Sequence, residues 1–149
     1  MISIRPADSL DFETIAEFQM AMALETENLQ LDKPTVVAGV KKVFAKPELG
    51  KYFVAEHKGT VVASLLITYE WSDWRNGIVY WIQSVYVIPD YRNQGIFKTM
   101  YLYIKEMVLA NDRVIGIRLY VDKTNTRARK IYEKLQMNGD HYALYEWLK

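Results

Sequence analysis

The segment RNQGIFK, residues 92–98, is the part of the chain whose residue types best suit an anion. An apolar stretch typical of a strand precedes it, and helical spacing begins within it. The N–H groups that open a helix lack internal acceptors and carry a partial positive charge, so such a junction can bind phosphate. Arg92 adds a full charge, and Gly95 lets a ligand come close to the backbone. We predict a phosphate or pyrophosphate site here, with a capped turn and an exposed arginine as the alternative.

Spacing and composition exclude several other kinds of site. The loop lacks the GxxxxGK[ST] spacing of a P-loop, and it has only one glycine of the GxGxxG dinucleotide fingerprint. The chain has no cysteine, which rules out disulfides, a cysteine nucleophile and thiolate metal sites. With His57 and His141 as the two histidines, a His-rich site is not expected either, so we predict no metal.

A second motif lies downstream, in a stretch with helical spacing. The segment NTRARKIY places Asn125 seven residues before Tyr132. Taken alone, Tyr132 beside Ile131 and Leu135 fits an ordinary core aromatic residue. The loop motif and this motif together, in this order, are far more specific than either one.

The two motifs resemble the signatures of the GNAT superfamily of acyl-CoA-dependent N-acyltransferases. In that family a strand, often ending V-x-P, runs into [R/Q]-x-x-G-x-[G/A] at a helix start. Here residues 87–89 are VIP and residues 92–97 are RNQGIF. The resemblance covers nearly the whole chain. It implies a GNAT-like fold and an N-acetyltransferase that moves an acetyl group from acetyl-CoA directly to a primary amine.

The same resemblance assigns residues to acetyl-CoA. Main-chain groups of Val85 and Val87 would align the acetyl-pantetheine arm, and the N–H groups of residues 93–98 would cradle the pyrophosphate. Arg92 would shape the loop, and Asn125 would hydrogen-bond the arm from the next helix. The implied cofactor-binding residues are Val85, Tyr86, Val87, Arg92, Asn93, Gln94, Gly95, Ile96, Phe97, Lys98, Asn125 and Tyr132.

Acetyl transfer from a thioester needs a neutral amine, a stabilised carbonyl oxygen and a protonated leaving thiolate. By resemblance, the Val85 backbone N–H is the candidate donor to the carbonyl oxygen, and Tyr132 is the candidate general acid. A phenol suits that step because its pKa of about 10 keeps it protonated until the thiolate forms. The absence of cysteine favours direct transfer over a thiol acyl-enzyme.

Three positions depart from the family pattern. Phe97 replaces a small residue, so its side chain must point into the core if the pyrophosphate is to fit. The common LGF after the tyrosine helix is LQM at residues 135–137. Trp81 stands where some members carry a general-base glutamate on the central strand.

The acceptor side is indicated by acidic and aromatic residues. Glu25 and Glu27 end the first predicted helix, where they would bind or deprotonate a cationic amine unless they belong to a solvated linker. Trp71 and Trp74 flank a short polar turn and would offer a cation–π platform, or else pack on the sheet. Glu70 is a candidate distant base acting through water, if the strand register turns it into the cleft.

The elements that must position these residues follow from periodicity and turn signals. The order is β-α-α-β-β-β-α-β-α-β, and it predicts an α/β (α+β) protein with a mixed, mostly antiparallel sheet and helices on both faces. The crossover between residues 78 and 121 predicts one parallel pair. The predicted strands are 2–5, 51–56, 60–71, 78–88, 113–121 and 141–148, and the predicted helices are 7–25, 35–45, 97–108 and 122–135.

The composition is that of one ordinary globular domain, residues 1–149. A net charge of +1 argues against a nucleic-acid partner bound through phosphates. No apolar run reaches the length of a membrane span, and the N-terminus lacks a signal-peptide pattern, so a cytoplasmic protein without a membrane partner is expected. The aromatic segment 141–148 would suit an interface strand, which allows a homodimer.

Two functions remain open at this point. The first is the N-acetyltransferase, acting on a small-molecule or protein amine that the sequence does not identify. The second is a module of the same fold that binds or senses acyl-CoA without turnover, which Trp81 and Phe97 allow.

Overall fold

Five strands form one sheet, and neighbours in the sheet follow one another along the chain. The first four strands pair antiparallel, and the fifth lies parallel to the fourth. The mixed, mostly antiparallel sheet predicted from the sequence is therefore confirmed. The strands are β1 (Ile2–Pro6), β2 (Lys51–His57), β3 (Thr60–Ser72), β4 (Gly77–Val87) and β5 (Val114–Leu119).

The computed structural model describes residues 1–149 and divides into two units, Met1–Leu119 and Tyr120–Lys149. The sheet and three helices belong to the first unit, and one helix belongs to the second. The helices are α1 (Phe12–Glu27), α2 (Lys33–Ala45), α3 (Ile96–Leu109) and α4 (Thr126–Lys134).

Helices cover both faces of the sheet in the first unit. Ile15 of α1 and Val40 of α2 pack in one buried cluster with Tyr52 and Val54 of β2. Phe53 points to the opposite face, since successive strand residues alternate, and its ring lies 5.9 Å from the Tyr103 ring of α3. The alternating pattern of β2 thus builds a core layer on each side.

Two hairpin turns form where the sequence predicts them. Lys58 and Gly59, between β2 and β3, both have positive φ, at 50° and 78°. Asn76, just before β4, has φ of 50°. Glycine and asparagine tolerate this region of backbone space better than other residues, which is why these short signals are dependable.

The predicted last strand, residues 141–148, is wrong. The chain forms no strand after β5, and the side chains of Tyr145 and Trp147 are 94% and 85% exposed. A strand is defined by hydrogen bonds to a neighbour, and alternation of apolar residues says nothing about whether that neighbour is there.

No helix of the structure has the length and hydropathy needed to cross a membrane.

Charged groups join the start of the chain to the start of α1. Asp8 caps the short 3-10 helix Ser9–Asp11 by accepting a bond from the Leu10 N–H at 2.8 Å. The buried Asp11 accepts two bonds from Arg5 of β1, at 2.8 and 3.0 Å, and one from the Asp8 N–H at 2.8 Å. Arg5 also donates to Glu56 of β2 at 2.9 Å. These bonds lower the pKa of the Asp11 carboxyl, with the Arg5 hydrogen bonds as the largest cause.

We expect Asp11→Asn to lower the free energy of unfolding by about 2–4 kcal/mol at pH 7, because it removes the buried carboxylate that accepts two of the Arg5 hydrogen bonds. The folded pKa of Asp11 lies below its unfolded value of about 3.9, so the stabilisation is present above that pH and is lost as the pH falls through the folded pKa. Urea denaturation at pH 7 and at pH 3 measures both effects. Glu56→Gln, which removes a more exposed partner of Arg5, should cost less than about 1 kcal/mol. Equal stability of wild type and D11N at pH 7 would contradict the role of this pair.

Candidate functional site

A β-bulge interrupts β4 near its end. Ser64 of β3 pairs with Tyr86, and Leu66 pairs with Gln83, so a step of two residues on β3 matches a step of three on β4. The extra residue falls at Ser84, whose φ is 53°, a value that residues other than glycine rarely adopt. A bulge bends its strand and increases the local twist. The last residues of β4 are therefore turned relative to the first ones.

Strands β4 and β5 part just before this bulge. Their pairing runs from Ile78 opposite Val114 to Ile82 opposite Leu119, where β5 ends. β4 continues to Val87, still paired with β3 on its other side. Residues 83–87 thus have a neighbouring strand on one edge only, and their other edge (here called the open edge) faces no strand.

Main-chain groups of two predicted cofactor-binding residues face the open edge. The Ile88 N–H donates to the Val62 carbonyl of β3 at 3.0 Å. The carbonyl of the same peptide group, that of Val87, therefore points away from β3, and so does the Val87 N–H. Alternation along the strand puts the main-chain groups of Val85 on the same side as those of Val87. This is the arrangement that an extended arm lying beside β4 requires.

The loop that follows β4 presents helix-opening N–H groups. After the short 3-10 helix Pro89–Tyr91, Asn93 and Gly95 have positive φ of 65° and 75°. The Thr99 N–H donates to the Gly95 carbonyl at 3.0 Å, and the N–H groups ahead of it open α3 without an acceptor in the helix. A Cβ at Gly95 would meet no atom within 4 Å, so open space lies beside this backbone. The loop therefore combines donors, a helix dipole and room for an anion.

Phe97 packs along the first turn of α3. Its side chain is half-buried, and its ring is 6.3 Å from the ring of Tyr101, one turn further along α3. The residue that enters the core fully at the helix start is Ile96, which is 3% exposed. Phe97 therefore reaches the core only in part, and the expectation that its side chain points into the core so that a pyrophosphate fits stays a prediction.

A hydrogen-bonded cluster joins α1, β4 and the loop through Glu25. Tyr86 donates its hydroxyl to Glu25 Oε1 at 2.9 Å, and Arg92 Nη2 donates to Glu25 Oε2 at 2.7 Å. Arg92 Nε also donates to the Val87 carbonyl at 2.8 Å, and its guanidinium lies 5.4 Å from the centre of the Tyr86 ring. The Phe18 ring of α1 packs against the Tyr86 ring, and the two ring centres lie 5.1 Å apart.

The sequence pattern suggested an acceptor-side role for Glu25 and did not indicate these contacts. One signal was available. Residues 15, 18, 22 and 25 share a face of α1, and the first two are buried. A carboxylate on a core-facing stripe needs a partner, since a buried charge is costly unless it is paired. The identity of that partner, 67 residues further along the chain, is not written in any local pattern.

A second polar cluster occupies the face of the sheet that carries α1 and α2. Glu70 accepts from the Trp81 indole N–H at 3.2 Å and from Arg118 Nη1 at 2.7 Å. Gln83 donates to the Thr68 hydroxyl beside them. The register thus turns Glu70 to the face that also carries Trp81, as a role in a cleft would need.

Distance limits what Glu70 can do directly. It stands opposite Val79, six residues before Val85, which corresponds to roughly 20 Å of strand. The carboxylate therefore cannot touch an amine held at Val85, and a proton would have to travel through several waters.

The remaining acceptor candidates are not brought together. Trp71 follows Glu70 on β3 and so points to the opposite face of the sheet, where it is 62% exposed. Trp74 lies in the turn before β4 and is 87% exposed. Glu27 is the last residue of α1 and is exposed. These three side chains do not form one wall with Glu70.

In the second unit, Asn125 is the N-cap of α4 and Tyr132 lies within the helix. The Asn125 side-chain oxygen accepts from the Ala128 N–H at 3.0 Å and caps the helix, which leaves its NH2 group as a donor. Tyr132 follows two turns later and is half-buried. Burial raises the pKa of its phenol above the usual 10, so the group is a proton donor at neutral pH.

Comparison with known proteins identifies a family. The model of the acetyltransferase (GNAT) family matches residues 12–137. No curated protein is similar enough in sequence to count as a relative. Among solved structures, a possible acetyltransferase from Clostridium difficile 630 is 44% identical, with a TM-score of 0.91 over 100% of this chain and 98% of that chain.

More distant structures share the fold. A predicted acetyltransferase with acetyl-CoA from Clostridium acetobutylicum is 18% identical, with a TM-score of 0.76 over 98% of this chain and 96% of that chain. A ribosomal-protein-alanine N-acetyltransferase from Brucella melitensis biovar Abortus 2308 is 14% identical, with a TM-score of 0.80 over 100% of both chains.

We expect Ser84→Val to lower the free energy of unfolding by about 1–2 kcal/mol, because a β-branched residue is strained at positive φ. Ser84→Gly should be close to neutral, since glycine relieves that strain but loses more chain entropy on folding. Urea denaturation of the two variants measures the difference. Equal stability of S84V and S84G would place the bulge elsewhere in β4.

Proposed function

The chain belongs to the GNAT acetyltransferase family, whose members use acetyl-CoA, and we propose that it transfers an acetyl group from acetyl-CoA directly to a primary amine. The observation that carries the proposal is the open edge of β4 leading into the helix-opening loop. One strand end thus offers main-chain donors to an extended arm and, a few residues later, N–H groups to a pyrophosphate.

The residues present fit acetyl-CoA. The N–H groups of residues 93–98 would hold the pyrophosphate, and the open space at Gly95 gives it access to the backbone. Val85 and Val87 would hold the pantetheine arm through their main-chain groups, and Asn125 would add its free NH2 group. When bound, acetyl-CoA supplies an acetyl carbon activated as a thioester.

The chemistry of transfer then falls to few groups of this chain. As the amine nitrogen bonds to the acetyl carbon, the Val85 N–H would stabilise the charge on the carbonyl oxygen. As the C–S bond breaks, Tyr132 would give its proton to the thiolate sulfur. The amine loses its own proton to water, and Glu70 is the candidate to receive it through a water chain, held in place by Trp81 and Arg118.

The acceptor is an amine whose class stays open. Glu27, Trp71 and Trp74 stay separate acceptor-side predictions, and each side chain is exposed to solvent. The neighbour from Brucella is named for acetylating a protein alanine, so N-terminal peptides belong in any test beside polyamines, amino acids and aminoglycosides. A cytoplasmic location and a homodimer likewise stay predictions.

The test is release of the CoA thiol from acetyl-CoA in the presence of each amine, with mass spectrometry of the product. Acetylation of one amine class above the rate of acetyl-CoA hydrolysis supports the proposal. Tight CoA binding with no transfer to any amine would overturn it and favour the binding or sensor module.

We expect Tyr132→Phe to lower kcat by about 10²- to 10⁴-fold, the usual loss when a general acid is removed, and to leave CoA affinity unchanged. Steady-state kinetics with isothermal titration calorimetry separates the two quantities. Tyr145→Phe, which changes a fully exposed phenol in the same unit, is the control and should keep wild-type kcat. Unchanged turnover in Y132F would remove this residue from the mechanism.

We expect Gly95→Val to weaken CoA binding by about 5- to 30-fold, because a β-branched residue at φ of 75° strains the loop by about 1–2 kcal/mol or forces it to move. Gly59→Val is a matched control, since Gly59 has φ of 78° and equally open surroundings in the turn between β2 and β3. Both variants should lose similar stability, while only G95V loses CoA affinity in calorimetry. A loss of affinity in both would assign the effect to general destabilisation.

A further inference from the structure

Glu25 links the last turn of α1 to the strand and loop of the candidate acetyl-CoA site. Its carboxylate accepts from Tyr86 at 2.9 Å and from Arg92 at 2.7 Å, one bond to each oxygen. Both donors come from β4 and from the loop after it, which is the cofactor side of the site. The structure shows no such partners for Glu17, an exposed residue on the same helix.

The Arg92 guanidinium is hydrogen-bonded through two of its nitrogens. Its Nε donates to the Val87 carbonyl at 2.8 Å, and its Nη2 donates to Glu25. A planar guanidinium fixed at two of its nitrogens has one orientation, whereas a 40% exposed arginine without Glu25 would move among many rotamers. The bond to Val87 also fixes the peptide group at the end of the open edge.

Hydrogen bonds from Arg92 and Tyr86 keep the Glu25 carboxyl ionised. The Arg92 hydrogen bond, with a further bond from Tyr86, lowers the pKa of the Glu25 carboxyl. A carboxylate with a lowered pKa is a weak proton acceptor, so Glu25 is poorly suited to deprotonate an amine. Its contacts therefore suit it to orient Arg92 better than to receive an acceptor.

We propose that Glu25 is a positioning residue for acetyl-CoA, which holds Arg92 so that the Val87 peptide group and the loop of residues 92–95 are set before the cofactor binds. The inference rests on the proposed function for the identity of the ligand. It assigns Glu25 to the cofactor side of the reaction, where the sequence had suggested the acceptor side. The Glu25–Arg92 bond also connects α1 to the loop of residues 92–95, so a displacement of the end of α1 would move the Arg92 side chain.

Calorimetric titration of CoA into wild type, Glu25→Gln, Arg92→Lys and the double variant tests the inference. We expect E25Q to raise the Kd for CoA by about 3- to 30-fold, less than the roughly 10- to 150-fold of a fully lost hydrogen bond to a charged group, because the glutamine amide oxygen can still accept from Arg92. Because Glu25 acts through Arg92, E25Q should add little in the R92K background, which is the signature of coupling in a double-mutant cycle. Tyr86→Phe should have a smaller effect than E25Q, since it leaves the bond to Arg92 in place.

Kinetics separates positioning from an acceptor role and from simple loss of structure. With acetyl-CoA saturating, E25Q should keep the wild-type kcat and acceptor KM, and only the KM for acetyl-CoA should rise. Glu17→Gln removes the same charge from the exposed face of α1 and should leave the Kd for CoA unchanged. A melting temperature for each variant shows whether it is folded.

Two results would overturn the inference. They are a wild-type Kd for CoA in E25Q and effects of E25Q and R92K that simply multiply. A wild-type Kd together with a raised acceptor KM would return Glu25 to the acceptor side. Failure of the wild-type protein itself to bind CoA would defeat the proposed function, and this inference with it.

Discussion

Strand β5 ends at Leu119 while β4 runs on to Val87, so the last five residues of β4 hydrogen-bond to a strand on one edge only. Main-chain N–H and C=O groups need partners, and an edge that lies inside a fold without them is a place where another extended chain can bind. Three features of the site lie along this edge. The bulge at Ser84 turns it, the loop after Tyr91 continues it into a helix start, and Arg92 closes its end at Val87.

Arginine and carboxylate pairs stabilise the parts of the protein that meet at this edge. Arg5 and Asp11 fix the beginning of α1 against β1, and Arg92 and Glu25 fix its end against β4. The helix is therefore attached by a charged pair at each end, with Ile15 and Phe18 packed between them. On the same face of the sheet, Arg118 holds the Glu70 carboxylate beside the Trp81 indole.

Local signals in the sequence predicted much of the fold and the loop. Asn76 and Gly59 marked turns because their backbone freedom is a property of the single residue, and the crossover helix after β4 implied a parallel partner. The positive φ of Ser84 had no such signal, since a bulge depends on how two strands align and not on one residue type. The partners of Glu25 and the direction of Glu70 depend on the same alignment. The strand predicted at residues 141–148 failed for a different reason. The alternating pattern was present in the sequence, but the segment pairs with no strand.

The order of strands in the sheet also bears on how the site comes into being as the chain folds. Strands β2, β3 and β4 form two consecutive hairpins closed by short turns, so their pairing needs little loop closure and can precede the docking of the edge strands. The bulge at Ser84 belongs to the second hairpin and can form with it. β5 reaches β4 only after the chain has passed through α3, so the parting of the two strands is completed by a slower, non-local step. The bulged end of β4 thus forms within a local hairpin. The open edge beside it is complete only when β5 has paired with the first part of β4.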